Sequence, residues 1–387
     1  MFKKNVLIYG ATGSIGDSTL NLIRNNKKKF NLVGVTCNTN IEKLLDIANE
    51  FDCNNLGINN EIKIPNYPKL KNYNVYAGLD EFSKLMNNQV DIVIFAIAGS
   101  SPLSLLMDIA ASGKVIGLAN KECIICLGKT ILEIAKASET KIVPLDSEHN
   151  AIFQLIKNKN TSSIRKYTIT ASGGCFYNLD KAELETITPS QAIIHPKWKM
   201  GKKITVDSST LMNKGLEIIE ACILFSLDTK KIDAFIHPES IIHGIIEFKD
   251  RSSHAFLSQP SMEISISSVL FDDNSIELKD HNLDLTKIKS LNFLKIDNDK
   301  FNSINLAKLS LNEGGLMPAV LNYSNELLVE LFLNNKISFH EITLINERII
   351  NKFISDGCNI QIPVHQDLIS AFKIIDSYMI SNKLIID

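Results

Sequence analysis

Strand-like and helix-like segments alternate through the first 145 residues, and that alternation limits the fold more than any other feature of the sequence. "NVLIYG", "FNLVGVT", "DIVIFAIAG" and "KVIGLAN" read as strands, while "GDSTLNLIRNN", "IEKLLDIANEF" and "LSLLMDIAASG" read as helices. The strand runs are apolar at nearly every position instead of every second one, so both their faces must be covered. Repeated βα units with such strands predict a parallel, doubly wound sheet, an α/β architecture. From about Ala151 the pattern changes. "KYTITAS", "IDAFIH" and "IIHGIIEFK" are strands mixed with longer helices, which predicts an α+β region. Residues 274–300 are polar and irregular, as in a linker, and from Phe301 apolar residues return at helical spacing. A chain of 387 residues exceeds one ordinary core, and the expected division is 1–146, 147–273, a linker at 274–300 and a helical domain at 301–387.

"IYGATGSIG" places Gly10, Gly13 and Gly16 directly after the first strand and at the start of a helix. Glycines let the backbone turn tightly and approach a pyrophosphate, and the helix N-terminus offers free N–H groups and a positive dipole end. The spacing G-x-x-G-x-x-G is a variant of the dinucleotide fingerprint, and its strand–turn–helix context predicts a Rossmann-like cofactor domain. The end of the second strand bears on which dinucleotide. An NAD site usually carries Asp or Glu there for the ribose hydroxyls. Here Cys37, Asn38, Thr39 and Asn40 are neutral, and the first acid, Glu42, lies inside the next helix. No carboxylate repels a 2′-phosphate, which favours NADP.

Residues 195–217 read "HPKWKMGKKITVDSSTLMNKGLE". From His195 to Lys203 there are four Lys, one His and no acid, around Trp198, Met200 and Gly201. Such a stretch is either a solvated basic loop or a lid over an anion. Ser208 and Ser209 stand where the N-cap of the next helix is expected. On that helix Asn213, Lys214 and Glu217 share one face. A surface ion pair accounts for Lys214 and Glu217 but not for Asn213 beside them, whereas an anionic substrate would use all of these groups. "ITASGGCF" adds Ser172 at a strand end, with Gly173 and Gly174 leaving space beside it. In "PLDSEHN", Asp146 and Glu148 flank Ser147 at the seam between a strand and a helix. They are either capping acids that complement a helix dipole or hard oxygen ligands. With Glu217 as a third carboxylate and room for waters, the set suits Mg²⁺ or Mn²⁺.

The bulk numbers exclude other classes. Basic minus acidic residues give 41 − 43 = −2, so no overall basic field exists and nucleic acid is not an expected partner. "IVIFAIAG" from Ile92, the longest apolar run, is only strand length, so no membrane association is expected. "MFKK" leads into a strand and a glycine turn instead of a cleavage site. The seven scattered cysteines suit a reducing, cytoplasmic setting. Cys123 and Cys126 form a lone C-x-x-C that reads as buried packing, since zinc would require a second ligand pair.

Taken in order, "GATGSIG", "LANKE", "PLDSEHNAIFQ", "ASGG", "HPKWKMGKKITVDSSTLMNKGLE", "HPESIIHG" and "NEGG…PAVLNYSNE" resemble the 1-deoxy-D-xylulose 5-phosphate reductoisomerase family of the methylerythritol phosphate route to isoprenoids. The resemblance covers nearly the whole chain. It implies three domains in a V-shaped homodimer, NADPH, a divalent metal and a phosphorylated small-molecule substrate. It implies Asp146, Glu148 and Glu217 as metal ligands, the last two also touching substrate. Lys121, Ser147, Ser172, His195, Ser208, Asn213 and Lys214 are the further substrate contacts it implies. Thr12, Gly13, Ser14 and Ile15 fall on the cofactor turn, Asn38, Thr39 and Asn40 at the second strand's end, and Asn120, Glu122 and Gly201 match other cofactor contacts. Trp198 and Met200 lie on the lid. The implied reaction is a metal-assisted rearrangement to a branched aldehyde, by retro-aldol cleavage and re-addition, followed by hydride reduction.

The chain departs from the family pattern at four places. Asn38, Thr39 and Asn40 stand where Gly-Lys-Asn is common, which removes a cation from the 2′-phosphate side. Lys197 replaces an Asn, Cys175 a Pro, and Pro102 a Gly. Two other readings of the residues stay open at this level. A simple NADP-dependent sugar-phosphate or semialdehyde dehydrogenase would need no metal site. A non-catalytic NADP-binding regulator would bind cofactor without turnover.

Overall fold

The structure is a computed structural model that describes residues 2–195, 197–198, 201–271, 276–278 and 281–385. The chain forms two compact units. The first comprises Met1–Cys123, Lys129–Asn150 and Ser261–Asn282; the second comprises Ile124–Gly128, Ala151–Pro260 and Leu283–Asp387.

The first unit is built on β1 (Lys4–Tyr9), β2 (Phe30–Cys37), β3 (Asn55–Ile58), β4 (Asn74–Ala77), β5 (Ile92–Phe95), β6 (Val115–Leu118) and β7 (Lys141–Pro144). They form one parallel sheet in the order β4-β3-β2-β1-β5-β6-β7. The chain winds outward from β1 to β4, then returns to lay β5 on the other side of β1. That reversal opens a crevice at the carboxyl ends of β1 and β5, the usual ligand position in such sheets. Val6, Leu7, Ile8 and Tyr9 are all fully buried, as a strand covered on both faces requires. Each such side chain contributes about 1.5–3 kcal/mol relative to exposure. The connecting helices are α1 (Ser14–Asn25), α2 (Ile41–Phe51), α3 (Leu103–Ala110), α4 (Lys121–Ala137) and α5 (Ser147–Ile156). Of the last two, Ile124–Gly128 of α4 and the residues of α5 from Ala151 onward count with the second unit.

The second unit holds a mixed sheet of β8 (Ile164–Ala171), β9 (Ile232–Ile236), β10 (Ile242–Phe248) and β11 (Ser253–Leu257), ordered β11-β10-β8-β9. Only β8 and β9 run parallel among the described pairs. Around it lie α6 (Lys181–Leu184), α7 (Pro189–Ala192), α8 (Lys202–Ser209) and α9 (Met212–Leu224). A later helix, α10 (Met262–Leu270), returns to the first unit and packs on α1 and β6, with Phe271 edge-on to Phe30 at 5.1 Å. A helical bundle closes the chain: α11 (Ser303–Glu313), α12 (Met317–Leu333), α13 (Phe339–Ser355) and α14 (His365–Ser381).

The expected classes are therefore all present: the Rossmann-like parallel sheet, the central α+β region and the C-terminal helices. Residues 274, 275, 279 and 280 of the polar stretch lie outside the described residues. Near its end, Leu294 bridges Ile236 at the edge of β9. Among the described residues no helix is long and apolar enough to cross a membrane.

Candidate active site

In the first unit, the glycine turn follows β1. Gly10 has φ +86°, and a Cβ there would sit 2.6 Å from the Ala96 carbonyl oxygen, so only glycine closes this turn. Its N–H donates to Thr36 Oγ1 at 2.9 Å, and Ala11 N–H donates to the Thr36 carbonyl at 2.8 Å. The turn is thus tied to β2, and α1 starts at Ser14 with Gly13 at the N-cap and no side chain over its first N–H groups. Gly13 and Ser14 are exposed, and Thr12 and Ile15 half-buried. Open N–H groups at the start of a twelve-residue helix have the polarity to receive an anion.

Asn38, Thr39 and Asn40 follow β2 and are exposed. Asn40 caps α2 by accepting from Lys43 N–H at 3.2 Å, and Asn38 Oδ1 accepts from Asn59 Nδ2 at 3.1 Å. Lys43 was no candidate from sequence. Its ammonium reaches back to the Thr12 carbonyl at 3.0 Å and to Asp17 at 2.7 Å. The turn therefore carries a cation that the neutral Asn-Thr-Asn run does not advertise. The signal was a Lys three residues after an Asn N-cap, placed to point back over the first βα turn.

Asn120 caps α4 through Cys123 N–H at 2.8 Å and donates to the Ile97 and Gly99 carbonyls, both at 2.7 Å. It is buried, as are Lys121 and Glu122 beside it. Cys123 and Cys126 are both buried, and neither is in a disulfide. Lys121 Nζ meets Asp146 Oδ2 at 2.7 Å, with the two side chains 6% and 13% exposed. Burial works to raise the Asp146 pKa, but the Lys121 ammonium and His149 outweigh it and hold the carboxyl well below the ordinary range. His149 Nδ1 lies 3.1 Å from Asp146 Oδ1. Asp146 Oδ1 also accepts from Glu148 N–H at 3.3 Å, so capping of α5 and charge pairing use the same carboxylate. Ser147 Oγ donates to Glu148 Oε2 at 2.7 Å.

In the second unit, β8 delivers Ser172, whose Oγ lies 3.0 Å from His195 Nε2. His195 Nδ1 accepts from the backbone N–H groups of Trp198 at 2.9 Å and Lys197 at 3.2 Å. Burial pushes the His195 pKa down to about 4, so the ring is neutral at pH 7. With Nδ1 accepting, the proton sits on Nε2 and is donated to Ser172 Oγ. One imidazole thus ties the start of the basic loop to the end of β8. Trp198 is half-buried; Met200, expected on the same lid, lies outside the described residues. Gly174, at φ +66°, would place a Cβ 2.7 Å from the Ser208 carbonyl, so the Ser172 loop lies against the end of α8.

Ser208 and Ser209 are not the N-cap of the following helix. They end α8, whose N-cap is Gly201. Leu211 then takes the left-handed conformation at φ 59°, and α9 begins at Met212. The sequence shows no glycine at this corner, so the two helices read as one start. A buried Leu at positive φ costs on the order of 1–2 kcal/mol, and it turns the chain so that the end of α8 adjoins the start of α9. On α9, Asn213 Nδ2 and Lys214 Nζ both donate to Glu217, with Lys214 4% and Glu217 1% exposed. The face expected from the spacing is real, and its ion pair is buried.

The sequence pattern described as 1-deoxy-D-xylulose 5-phosphate reductoisomerase matches residues 6–128, and that of the family's C-terminal domain matches residues 142–225. A third, DXP reductoisomerase C-terminal domain, matches residues 257–373. The chain is 41% identical to the 1-deoxy-D-xylulose 5-phosphate reductoisomerase of Clostridium perfringens, over 90% of this chain and 93% of that protein. It is 42% identical to that of a Sulfurihydrogenibium species over 89% and 90%. The Zymomonas mobilis enzyme in complex with NADPH superposes with a TM-score of 0.88 at 34% identity, over 98% of both chains. A DOX-P reductoisomerase in complex with NADPH, fosmidomycin and magnesium gives 0.90 at 33% identity, also over 98% of both.

Proposed function

This chain belongs to the 1-deoxy-D-xylulose 5-phosphate reductoisomerase family, and on that premise we propose that it converts 1-deoxy-D-xylulose 5-phosphate to 2-C-methyl-D-erythritol 4-phosphate with NADPH and a divalent metal. The observation that carries the reading is the match over 98% of both chains to a reductoisomerase that holds NADPH, fosmidomycin and magnesium. It disfavours the simple dehydrogenase and the non-catalytic regulator. The test is turnover: NADPH is consumed with 1-deoxy-D-xylulose 5-phosphate and Mg²⁺, and consumption stops when the metal is chelated. NADPH consumption that is indifferent to chelation would sink the metal-dependent reading.

Asp146, Glu148 and Glu217 are the proposed metal ligands. Three carboxylates and no competing thiolate form a hard oxygen donor set that fits Mg²⁺ or Mn²⁺. When bound, the metal supplies polarisation of the substrate ketone and NADPH supplies the hydride. The chain's own groups position and shield. Lys121 keeps Asp146 ionised; Asn213 and Lys214 hold Glu217 in one rotamer. Ser172, the Nε2–H of His195, Ser208 and the first N–H groups of α9 would take the phosphate. Ser147 and Lys121 complete the proposed substrate contacts, and the loop with Trp198 and Met200 would close and exclude water.

For the cofactor, the proposed contacts are Thr12, Gly13, Ser14 and Ile15 at the pyrophosphate, Asn38, Thr39 and Asn40 at the adenosine end, and Asn120, Glu122 and Gly201 elsewhere. With Thr39 in place of a Lys, the preference for NADPH over NADH is expected to be modest. Thr39→Lys should raise the NADPH/NADH ratio of kcat/KM about tenfold, the effect of roughly 1.4 kcal/mol from one added charge pair. An unchanged ratio would count against this placement of the 2′-phosphate.

Further parts of the reading are proposals too. The functional division is a cofactor domain at 1–146, a catalytic domain at 147–273, a linker at 274–300 and a helical domain at 301–387. A homodimer is supported by β11, an edge strand with Ser253, His254, Ala255 and Leu257 exposed. A cytoplasmic location is supported by seven cysteines of which none is in a disulfide. The product would feed isoprenoid precursor synthesis.

A further inference from the structure

Asp207 lies beside Ser208 on α8 and is 1% exposed. A carboxylate this buried must be paired. Its Oδ2 lies 3.0 Å from Lys203 Nζ, one turn back at the end of the basic loop. Its Oδ1 accepts from Asn325 Nδ2 of α12 at 2.7 Å, across 118 residues of sequence. Asn325 Oδ1 accepts in turn from Asn346 Nδ2 of α13 at 3.3 Å, and Asn346 Oδ1 accepts from Ser324 Oγ at 2.6 Å. Asn325, Asn346 and Ser324 are fully buried. Next to this chain, Ser303 Oγ at the start of α11 donates to the Thr210 carbonyl at 2.8 Å.

Apolar side chains would pack α8 against the bundle at less cost. What directional bonds add is a fixed rotation of the helix. Successive helical residues point about 100° apart. Holding Asp207 toward α12 therefore sets where Ser208 points, on an end of α8 that Gly174 brings against the Ser172 loop. We propose that Asp207 and Asn325 are positioning residues for phosphate binding, so that the C-terminal helical bundle sets the affinity of the site for its phosphorylated substrate. The inference rests on the proposed reductoisomerase function and adds residues to it that touch neither substrate nor cofactor.

The test uses the full-length protein and three variants. Asn325→Asp sets two carboxylates face to face. The swap Asp207→Asn with Asn325→Asp restores a donor opposite an acceptor and keeps the bond from Asn346. Asn325→Ser, a milder change, serves if the first does not fold. For the single variants, KM for 1-deoxy-D-xylulose 5-phosphate should rise about tenfold. The Kd for fosmidomycin with Mg²⁺, read by calorimetry, should rise in step. The kcat should stay within about threefold and the NADPH Kd should not move, while the swap recovers most of the lost affinity. A lowered Tm with unchanged KM and fosmidomycin affinity would mean a purely structural role and overturn the proposal. So would equal loss of affinity in the swap and the singles. If the unsubstituted protein neither turns over this substrate nor binds fosmidomycin, the proposed function itself fails. A normal parent with unaffected variants overturns only the positioning role.

Discussion

Glu148→Gln is expected to lower metal-dependent turnover by about a thousandfold, the loss of roughly 4 kcal/mol of metal-assisted stabilisation. The substitution keeps the shape of the side chain, and an amide oxygen can still accept from Ser147 Oγ, which lies 2.7 Å from Oε2. The fold should therefore survive with Tm nearly unchanged, and NADPH should bind as before, because the glycine turn after β1 is untouched. A higher Mg²⁺ concentration should recover part of the activity, as expected when a ligand is weakened and the others remain. Activity near the unsubstituted level at low Mg²⁺ would remove Glu148 from the metal site.

Lys214→Met should have the largest effect on stability. It strips the ammonium from a Glu217 carboxylate that is 1% exposed, while the amide of Asn213 still donates to it. Breaking a buried pair on one side costs about 3–5 kcal/mol, which for a chain of this size lowers Tm by on the order of 10 °C. If Glu217 binds the metal, Mg²⁺ can take the place of the missing charge. The variant's Tm should then rise more with Mg²⁺ than the parent's does, by mass action on the folded state. Replacing both residues, Lys214→Met with Glu217→Leu, should restore stability by removing the buried charge along with its counter-ion and leave the enzyme inactive. A Mg²⁺ response equal in the single variant and the parent would show that Glu217 is not a ligand.

Which parts of this molecule were legible in the sequence follows from how local their causes are. The buried run of β1, the glycine turn and the amphipathic helices are encoded within a dozen residues each. They lie where the pattern places them. Strands β3 and β4 leave no clear mark because "NLGI" and "NVYA" each open on a polar Asn and sit in polar surroundings, unlike the equally short but wholly apolar "IVIF" of β5. The return of α10 to the first unit leaves no local mark. At the candidate site the acids, serines and basic helix face were legible as residue types. Ser208 was misplaced as a helix start because the break at Leu211 is made by a left-handed leucine, and no glycine or proline announces it. Lys43 gives little local signal because it lies inside α2 and not at the strand end before it. The bond between Asp207 and Asn325 spans 118 residues and has no single-sequence signature.

The central claim is that this chain rearranges a carbon skeleton before reducing it, and one isotope measurement tests that directly. NADPH carrying deuterium at the transferable position of the nicotinamide is incubated with the protein, 1-deoxy-D-xylulose 5-phosphate and Mg²⁺, and the product is examined by mass spectrometry and NMR. The expected product is the branched methyl tetritol phosphate with one deuterium on its primary, non-phosphorylated carbinol carbon, because the hydride meets an aldehyde that exists only after rearrangement. An unbranched deoxypentitol phosphate with deuterium on the former ketone carbon would contradict the account and leave a simple sugar-phosphate dehydrogenase in its place.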